Sequence, residues 1–438
     1  MSFGWEAFEK DAKEKSIVCY GAGVNAVLML IKENFRPYLD NVLFFVDRDT
    51  RKVGTRLVSG GRSFEIRSTD SLDDIGSDTI ILVTIADYIT VGKMLDEKVI
   101  TWYPWTVISA DISFSQLEER AVYDEKKYFL LNTPDYMNLG DHAITVAESR
   151  YLNKNFGEFS ELGSNVCHID GLRRLKSFVK PYDVIFVQGG GNMGSLWRMC
   201  EENIRNIVRI FPDNRIVIFP QSVYYGDSEE EAAYFAQSQE VYNGHKDLLI
   251  CSRDRRSFDF VNRSYKCGSM LLPDMVLTLE HNKRSERRGI GLLLRDDKEK
   301  LIRGDYRVKA ELAAKKLGME LKLITHHPAV DPCSRHKLID ELLDVYSSCE
   351  LVITDRLHGM ILSAVTNTPC IAFDNSYHKV SDLYKTWLGD CEHITLSEPL
   401  DEAALAELIE EKTGHEYREF APGIFRKEFD KLTAYLNN

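Results

Sequence analysis

The sequence predicts an α/β protein of three successive blocks, the last two reading as similar halves with a cleft between them. Three observations carry this. Short apolar runs alternate with helix-compatible segments along the whole chain, the pattern of parallel sheets covered by helices on both faces. A strongly polar stretch, Glu280-His281-Asn282-Lys283-Arg284-Ser285-Glu286-Arg287-Arg288, interrupts the alternation after Leu279 and marks an internal boundary. The length, 438 residues, accommodates about three domains at roughly 150 residues each.

In the first block, the run Ile17-Val18-Cys19-Tyr20 leads directly into Gly21-Ala22-Gly23-Val24-Asn25-Ala26 and a helical pattern through Ile31. Further strands are predicted over Val42 to Val46, ending in Asp47, over Thr79 to Thr84 and over Lys98 to Thr101. Residues 1–110 thus read as a Rossmann-like accessory domain, and the polar, acidic stretch 111–127 as a linker, either irregular or helical. The second block, 128–285, starts at Tyr128-Phe129-Leu130-Leu131 and continues with strands over Asp183 to Gln188, Arg215 to Pro220 and Asp247 to Ser252. The third, 286–438, restarts at Gly289-Ile290-Gly291-Leu292-Leu293-Leu294. It repeats the alternation at Glu320 to Thr325, Glu350 to Thr354 and Pro369 to Asp374.

With 44% hydrophobic and 28% charged residues, 27 Gly and 12 Pro, the composition is that of a globular protein. Lys and Arg total 55 against 68 Asp and Glu, a net charge of -13. That balance argues against a general nucleic-acid or membrane-surface binder while leaving room for a local basic cleft. No run reaches the ~18 apolar residues of a membrane helix. The mixed-charge opening MSFGWEAFEKDAKEK lacks the apolar core of a secretory signal. The nine Cys are scattered without a CxxC pair and read as reduced core thiols of a cytoplasmic protein. No spacing of His, Cys and carboxylates matches a metal site, so no metal is expected.

Ligands of open parallel sheets bind beyond the carboxyl ends of the strands, and chemistry is sought there. Gly21 and Gly23, with Asp47 further on, match the dinucleotide fingerprint; the competing reading is a tight strand-to-helix turn in an accessory domain. Asn138-Leu139-Gly140-Asp141-His142 places Asp141 in a first helical turn, as a general base, a group orienting a substrate hydroxyl, or a helix cap. Gly189, Gly190 and Gly191, before Asn192, let backbone N–H groups approach an anion without Cβ obstruction; a tight packing turn is the alternative. Pro220-Gln221-Ser222 ends one strand with hydrogen-bonding side chains, and Ser252-Arg253-Asp254-Arg255-Arg256 ends the next with guanidinium groups.

The sharpest signal is Thr354-Asp355-Arg356-Leu357-His358-Gly359, where an apolar strand delivers Asp355, Arg356, Leu357 and His358 in succession. Arg356 and His358, two apart, face the same way in an extended turn and suit a phosphorylated anion. Thr325-His326-His327-Pro328 adds His326 and His327, of which at most one faces the cleft.

In series, Asn138-Leu139-Gly140-Asp141, Gly189-Gly190-Gly191-Asn192, Pro220-Gln221-Ser222, Ser252-Arg253-Asp254, Pro273-Asp274 and Asp355-Arg356-Leu357-His358-Gly359 resemble the motifs of polysaccharide pyruvyl transferases, from about Tyr128 to about His393. The resemblance implies two lobes in a GT-B-like arrangement. It also implies transfer of a pyruvyl group from phosphoenolpyruvate to a sugar of a capsule, exopolysaccharide or cell-wall unit, as a ketal on two hydroxyls. Arg253 and Arg356 would clamp the anion, His358 would contact phosphate or act as acid, and Asp141 would be the base or position the acceptor. No cofactor is implied beyond phosphoenolpyruvate as co-substrate. The acceptor would be lipid-linked or nucleotide-linked, the former drawing the protein to the inner membrane face. Two rivals stand beside this: a nucleotide-sugar glycosyltransferase of the same architecture, and a nucleotide sensor in which Gly21 binds and the lobes are silent.

Overall fold

The computed structural model describes residues 4–59, 61–85, 87–118, 125–281, 283, 285–297, 299–302, 305–326, 328–421 and 423–437. Each block folds around its own sheet. The accessory domain holds β1 (Ser16–Tyr20), β2 (Val42–Val46), β3 (Arg56–Ser59), β4 (Arg62–Arg67), β5 (Thr79–Val83) and β6 (Trp102–Pro104), in the order β3-β4-β2-β1-β5-β6. Only the β3–β4 pairing is antiparallel. Apolar clusters cover both faces of this sheet, which is why its central strands are nearly continuous apolar runs.

The first lobe is built on β7 (Tyr128–Thr133), β8 (Ser160–Gly163), β9 (Val184–Val187), β10 (Gly190–Gly194), β11 (Arg215–Tyr224), β12 (Leu248–Ser252) and β13 (Gly268–Leu271). Their order is β13-β12-β11-β9-β7-β8, with β10 beside β11. The second lobe holds β14 (Ile290–Leu293), β15 (Leu321–Leu323), β16 (Leu351–Thr354), β17 (Cys370–Ala372) and β18 (Ile394–Leu396), in the order β15-β14-β16-β17-β18. Both sheets are parallel throughout. One apolar cluster runs from the first lobe (Leu130, Phe186, Phe219) into the second (Leu293, Val352, Leu357), so the lobes share a core. This is the expected pair of Rossmann-like lobes in a GT-B-like arrangement, preceded by a third such sheet.

In each sheet the chain first steps to one side of a central strand and then returns to the other. Crevices therefore open at the carboxyl ends of β1/β5, β7/β9 and β14/β16. The Gly21, Asn138, Gly189 and Asp355 motifs sit at these switch points, while Pro220-Gln221-Ser222 and Ser252-Arg253-Asp254 belong to the neighbouring β11 and β12.

Four details differ from the sequence reading. The strand expected over Lys98 to Thr101 is Trp102–Pro104, because Lys98 closes a helix and Val99 turns at φ 58°. The strand expected to stop at Pro220 runs on to Tyr224, with a register shift between Ile218 and Gln221 that accommodates a residue lacking an N–H. Residues 111–118 of the expected linker take the helical alternative, continuing Trp105–Glu118, but they pack rather than tether, since Phe114 and Leu117 enter the first lobe's core. The terminal helices Gly423–Glu428 and Asp430–Asn437 return to the first lobe, where Thr433 Oγ1 lies 2.9 Å from the Tyr151 hydroxyl and Phe429 packs on Tyr151. No helix among the described residues is long and apolar enough to cross a membrane.

Candidate active site

The β7/β9 and β14/β16 switch points face each other and enclose a cavity of about 450 Å³. From the second lobe, β14 ends just before Arg295 and β16 just before Arg356, and both guanidinium groups line it with Lys379. Arg295 is fully engaged: its Nε and Nη2 donate to Asp297 at 3.0 and 3.2 Å, and Nη2 also pairs with Glu299. Lys379 Nζ lies 2.6 Å from Glu299, and burial lowers its ammonium to about 8 despite that partner.

Arg356 stands apart. Its closest carboxylates, on Asp296 and Asp297, are 3.9 Å away, and its buried Nε has no hydrogen-bond partner among the described residues. Burial, and then the like charge of Arg295, pull its pKa down. A buried cation without close partners is costly unless an anion joins it.

From the first lobe, Arg253 is 1% exposed and donates from Nε to Ser222 Oγ at 2.9 Å and from Nη1 to Asp274 Oδ2 at 2.7 Å. Asp274 Oδ2 also lies 3.6 Å from His358 Nε2, an ion-pair rather than a hydrogen-bond separation. Burial alone would raise the Asp274 carboxyl, but His358 and Arg253 override it and hold it well below its usual range. Asp274 thus ties an arginine of one lobe to a histidine of the other. A Cβ on Gly140 would collide with the His358 ring, so the lobes approach this closely only with glycine there. Asp141, one residue on, accepts from the Tyr136 hydroxyl (3.0 Å) and the Asn138 amide (2.8 Å), both on Oδ2. Among the described residues its Oδ1 has no such partner.

The remaining sequence candidates separate into those that line the cavity and those behind it. Gly191, Asn192, Leu357 and His326 line it. Arg356 caps the helix Leu357–Val365 and His358 lies within its first turn, so the expected extended turn is a helix start; both side chains still reach the cavity. His326 is 1% exposed, with Nε2 3.0 Å from the Tyr346 hydroxyl, and its carbonyl accepts from Leu139 N–H. His327 lies outside the described residues. Asp355 sits behind Arg295 and accepts its backbone N–H at 2.8 Å. Ser222 bridges Arg253 and Asp254.

The glycine segment is a strand rather than an open anion loop. The Gly189 N–H donates to buried Glu148 and the Asn192 N–H to Gln221, while Gly190, at φ 133°, opens β10. Gly191 is where Arg253 passes: a Cβ there would lie 3.0 Å from Nη2.

At the accessory switch point, Gly21 adopts φ 104° and packs where a Cβ would strike Ile85. Nothing lies within 4 Å of a Cβ built on Gly23. Asp47 is engaged internally: its Oδ2 accepts from Ala22 N–H (2.8 Å) and Lys52 (3.0 Å), and its Oδ1 from Asp49 N–H. Among the described residues, no group of three or more His, Cys, Asp or Glu side chains is placed to hold a metal ion.

Sequence reasoning missed Arg295, Lys379, Asp297, Glu299 and Trp197, whose Nε1 reaches Glu299 across the cleft at 3.2 Å. Arg295 was within reach of the strand-end rule, since it follows β14. Lys379 was not, because it lies on a helix after β17.

Two facing parallel lobes, with Arg253 after β12 on one side and Arg295 and Arg356 after β14 and β16 on the other, define a two-lobed α/β protein with a cleft lined by cations. A profile of the polysaccharide pyruvyl transferase family matches residues 138–377, more than half of the chain and the whole of this cavity except Tyr136, Met137 and Lys379. The chain is 34% identical over 298 residues to general stress protein 30 of Bacillus subtilis, covering 67% of this chain and 87% of that protein. It is 29% identical over 291 residues to pyruvyl transferase 1 of Schizosaccharomyces pombe, covering 61% of this chain and 71% of that one. A functionally uncharacterized Klebsiella pneumoniae protein of solved structure superposes with a TM-score of 0.44 at 16% identity, covering 66% of this chain and 98% of that one. The chain belongs to the polysaccharide pyruvyl transferase family and is an enzyme of that class.

Proposed function

We propose that the cleft moves the pyruvyl group of phosphoenolpyruvate onto two hydroxyls of a sugar in a cell-surface polysaccharide or its precursor, forming a ketal. The observation that carries this is Arg356, a buried guanidinium with no close carboxylate, beside Arg295, Lys379 and His358. Phosphoenolpyruvate puts a carboxylate and a phosphate on a very small frame, and forked N–H donors suit both.

In this reading Arg356 and the Nη2 of Arg253, which passes Gly191, grip the anion. His358, oriented by Asp274, contacts the phosphate or delivers a proton. Protonation at the methylene carbon builds cationic character on the carbon bearing the phosphate. One sugar hydroxyl attacks that carbon, its proton going to Asp141 Oδ1. Phosphate leaves with the C–O bond pair, and the second hydroxyl attacks the same carbon and closes the ketal, its proton going to the departing phosphate. The donor brings its own leaving group, so the reading asks for no further cofactor. It places the reaction in the cytoplasm, where the donor is made, on a lipid-linked or nucleotide-linked acceptor.

The test is incubation with phosphoenolpyruvate and sugar acceptors, following phosphate release and the mass of the acceptor. Ketal formation is expected. Release of a nucleoside diphosphate from a nucleotide sugar, with phosphoenolpyruvate untouched, would replace this reading by glycosyl transfer.

A further inference from the structure

We infer that a second cavity, at the junction of the accessory domain with both lobes, binds a neutral sugar unit; the ligand class rests in part on the polysaccharide reading above. The cavity measures about 240 Å³. That is below the roughly 300–1,000 Å³ of drug-sized sites and suits a single ring. All three units contribute walls: Asn25 and Lys32 from the accessory domain, Asp135 and Asn165 from the first lobe, Asp331 from the second.

The helix Trp105–Glu118 supplies the decisive wall. Thr106, Ser109, Ser113 and Gln116, at helical spacing, turn a hydroxyl and amide face into the cavity. Its Ala110, Phe114 and Leu117 meanwhile enter the first lobe's core. Ile108 enters the accessory domain's core on the other side, so the helix docks both units through its apolar residues and leaves the polar row to the cavity.

Two polar groups there await partners. Thr106 Oγ1 is buried without one among the described residues. The Lys32 ammonium is lowered by burial, with Asp331 and Asp135 within electrostatic reach, yet forms no ion pair or hydrogen bond among the described residues. Ser109 and Ser113 donate to the carbonyls of Thr106 and Ser109, which leaves their lone pairs free to accept.

Charge narrows the ligand. Among the described residues Lys32 is the one cation lining the cavity, against Glu33, Asp135 and Asp331, while Glu161 is answered by Arg335 behind the wall; the remaining excess of carboxylates disfavours phosphate and nucleotide. Sugar hydroxyls both donate to carboxylates and accept from ammonium and amide groups, and Trp105 offers an apolar face for a ring. The two cavities are separated by one loop. Pro134 and Asp135 line the junction, while Tyr136 and Asn138 line the active cavity and hold Asp141. A glycan seated at the junction thus lies one loop from the group assigned to the acceptor hydroxyl.

Saturation-transfer NMR with free glucose, galactose and N-acetylglucosamine tests this on the full chain. At least one should bind the wild-type protein, and binding should weaken about tenfold or more in Ser109→Trp and Ser113→Trp, which fill the cavity, and in Lys32→Met. All three variants should keep the wild-type affinity for phosphoenolpyruvate. Absence of sugar binding, or wild-type sugar binding in both tryptophan variants, overturns the inference. Sugar binding with this pattern in a protein that never consumes phosphoenolpyruvate would uphold the pocket and sink the pyruvyl transfer instead.

Discussion

Arg253 and Arg356 look across the same cleft from opposite lobes, each just past a buried strand, and their surroundings fit them for different tasks. Arg253 is matched by Asp274 at 2.7 Å and by Ser222, so most of its charge is balanced inside the protein. Arg356 is nearly as buried but has carboxylates only at 3.9 Å and an unpartnered Nε. The difference teaches that a strand-end arginine marks a cleft, while the distance to its carboxylate decides whether it builds the cleft or awaits an anion. On this view Arg253 holds Asp274 against His358 and offers the anion only its Nη2, while Arg356 is the main anion receptor.

The largest expected contrast is in stability. Arg253→Ala leaves Asp274 buried without its guanidinium and should cost about 3–5 kcal/mol, read as a lower denaturation midpoint. Arg356→Ala should leave the midpoint unchanged or raise it. Equal losses would erase the distinction between the two arginines. Next comes turnover: Arg356→Ala should lower kcat/KM for phosphoenolpyruvate by about 2–4 kcal/mol, tens to roughly a thousandfold.

Gly140→Ala sharpens the comparison from the side of His358. The added methyl would push the ring off Asp274, and overpacking of this kind costs about 1–3 kcal/mol. The loss should appear in kcat, with KM for phosphoenolpyruvate nearly constant; a fall in KM affinity alone would move His358 out of the chemistry.

The smallest effect concerns Lys379, whose ammonium burial lowers to about 8, with Glu299 opposing. It is charged below that pH and loses its proton above it, so the attraction for an anion fades as pH rises. KM for phosphoenolpyruvate should climb a few-fold between about pH 7 and pH 9. Lys379→Arg, which stays charged, should flatten the profile; an unchanged break would assign it to another group.

Much of this fold was legible because doubly covered parallel strands must be apolar on both faces. Val42 to Val46 and Leu351 to Thr354 announce themselves that way. Strands β10 and β13 did not, since Gly190–Gly194 pairs through its backbone alone and Gly268–Leu271 is a half-exposed edge. At the site, Arg253, Arg356, His358 and Asp141 were found by position at strand and helix ends. Who pairs with whom was not legible: Asp274 stands in the motif series, but it lies 21 residues from Arg253 in sequence and meets His358 only across the two lobes. The accessory domain shows the converse. Its glycine spacing matches a dinucleotide fingerprint, yet Asp47 already holds Ala22 and Lys52, a fact that spacing does not carry.

The central claim is that the loosely matched charge of Arg356 receives phosphoenolpyruvate, and calorimetric titration of that compound into the wild-type and Arg356→Ala proteins tests it most directly. Saturable binding to the wild type, weakened by at least about tenfold in the variant, is the expected result. Equal affinity in both, or no heat with phosphoenolpyruvate while a nucleoside diphosphate sugar saturates the cleft, would contradict it.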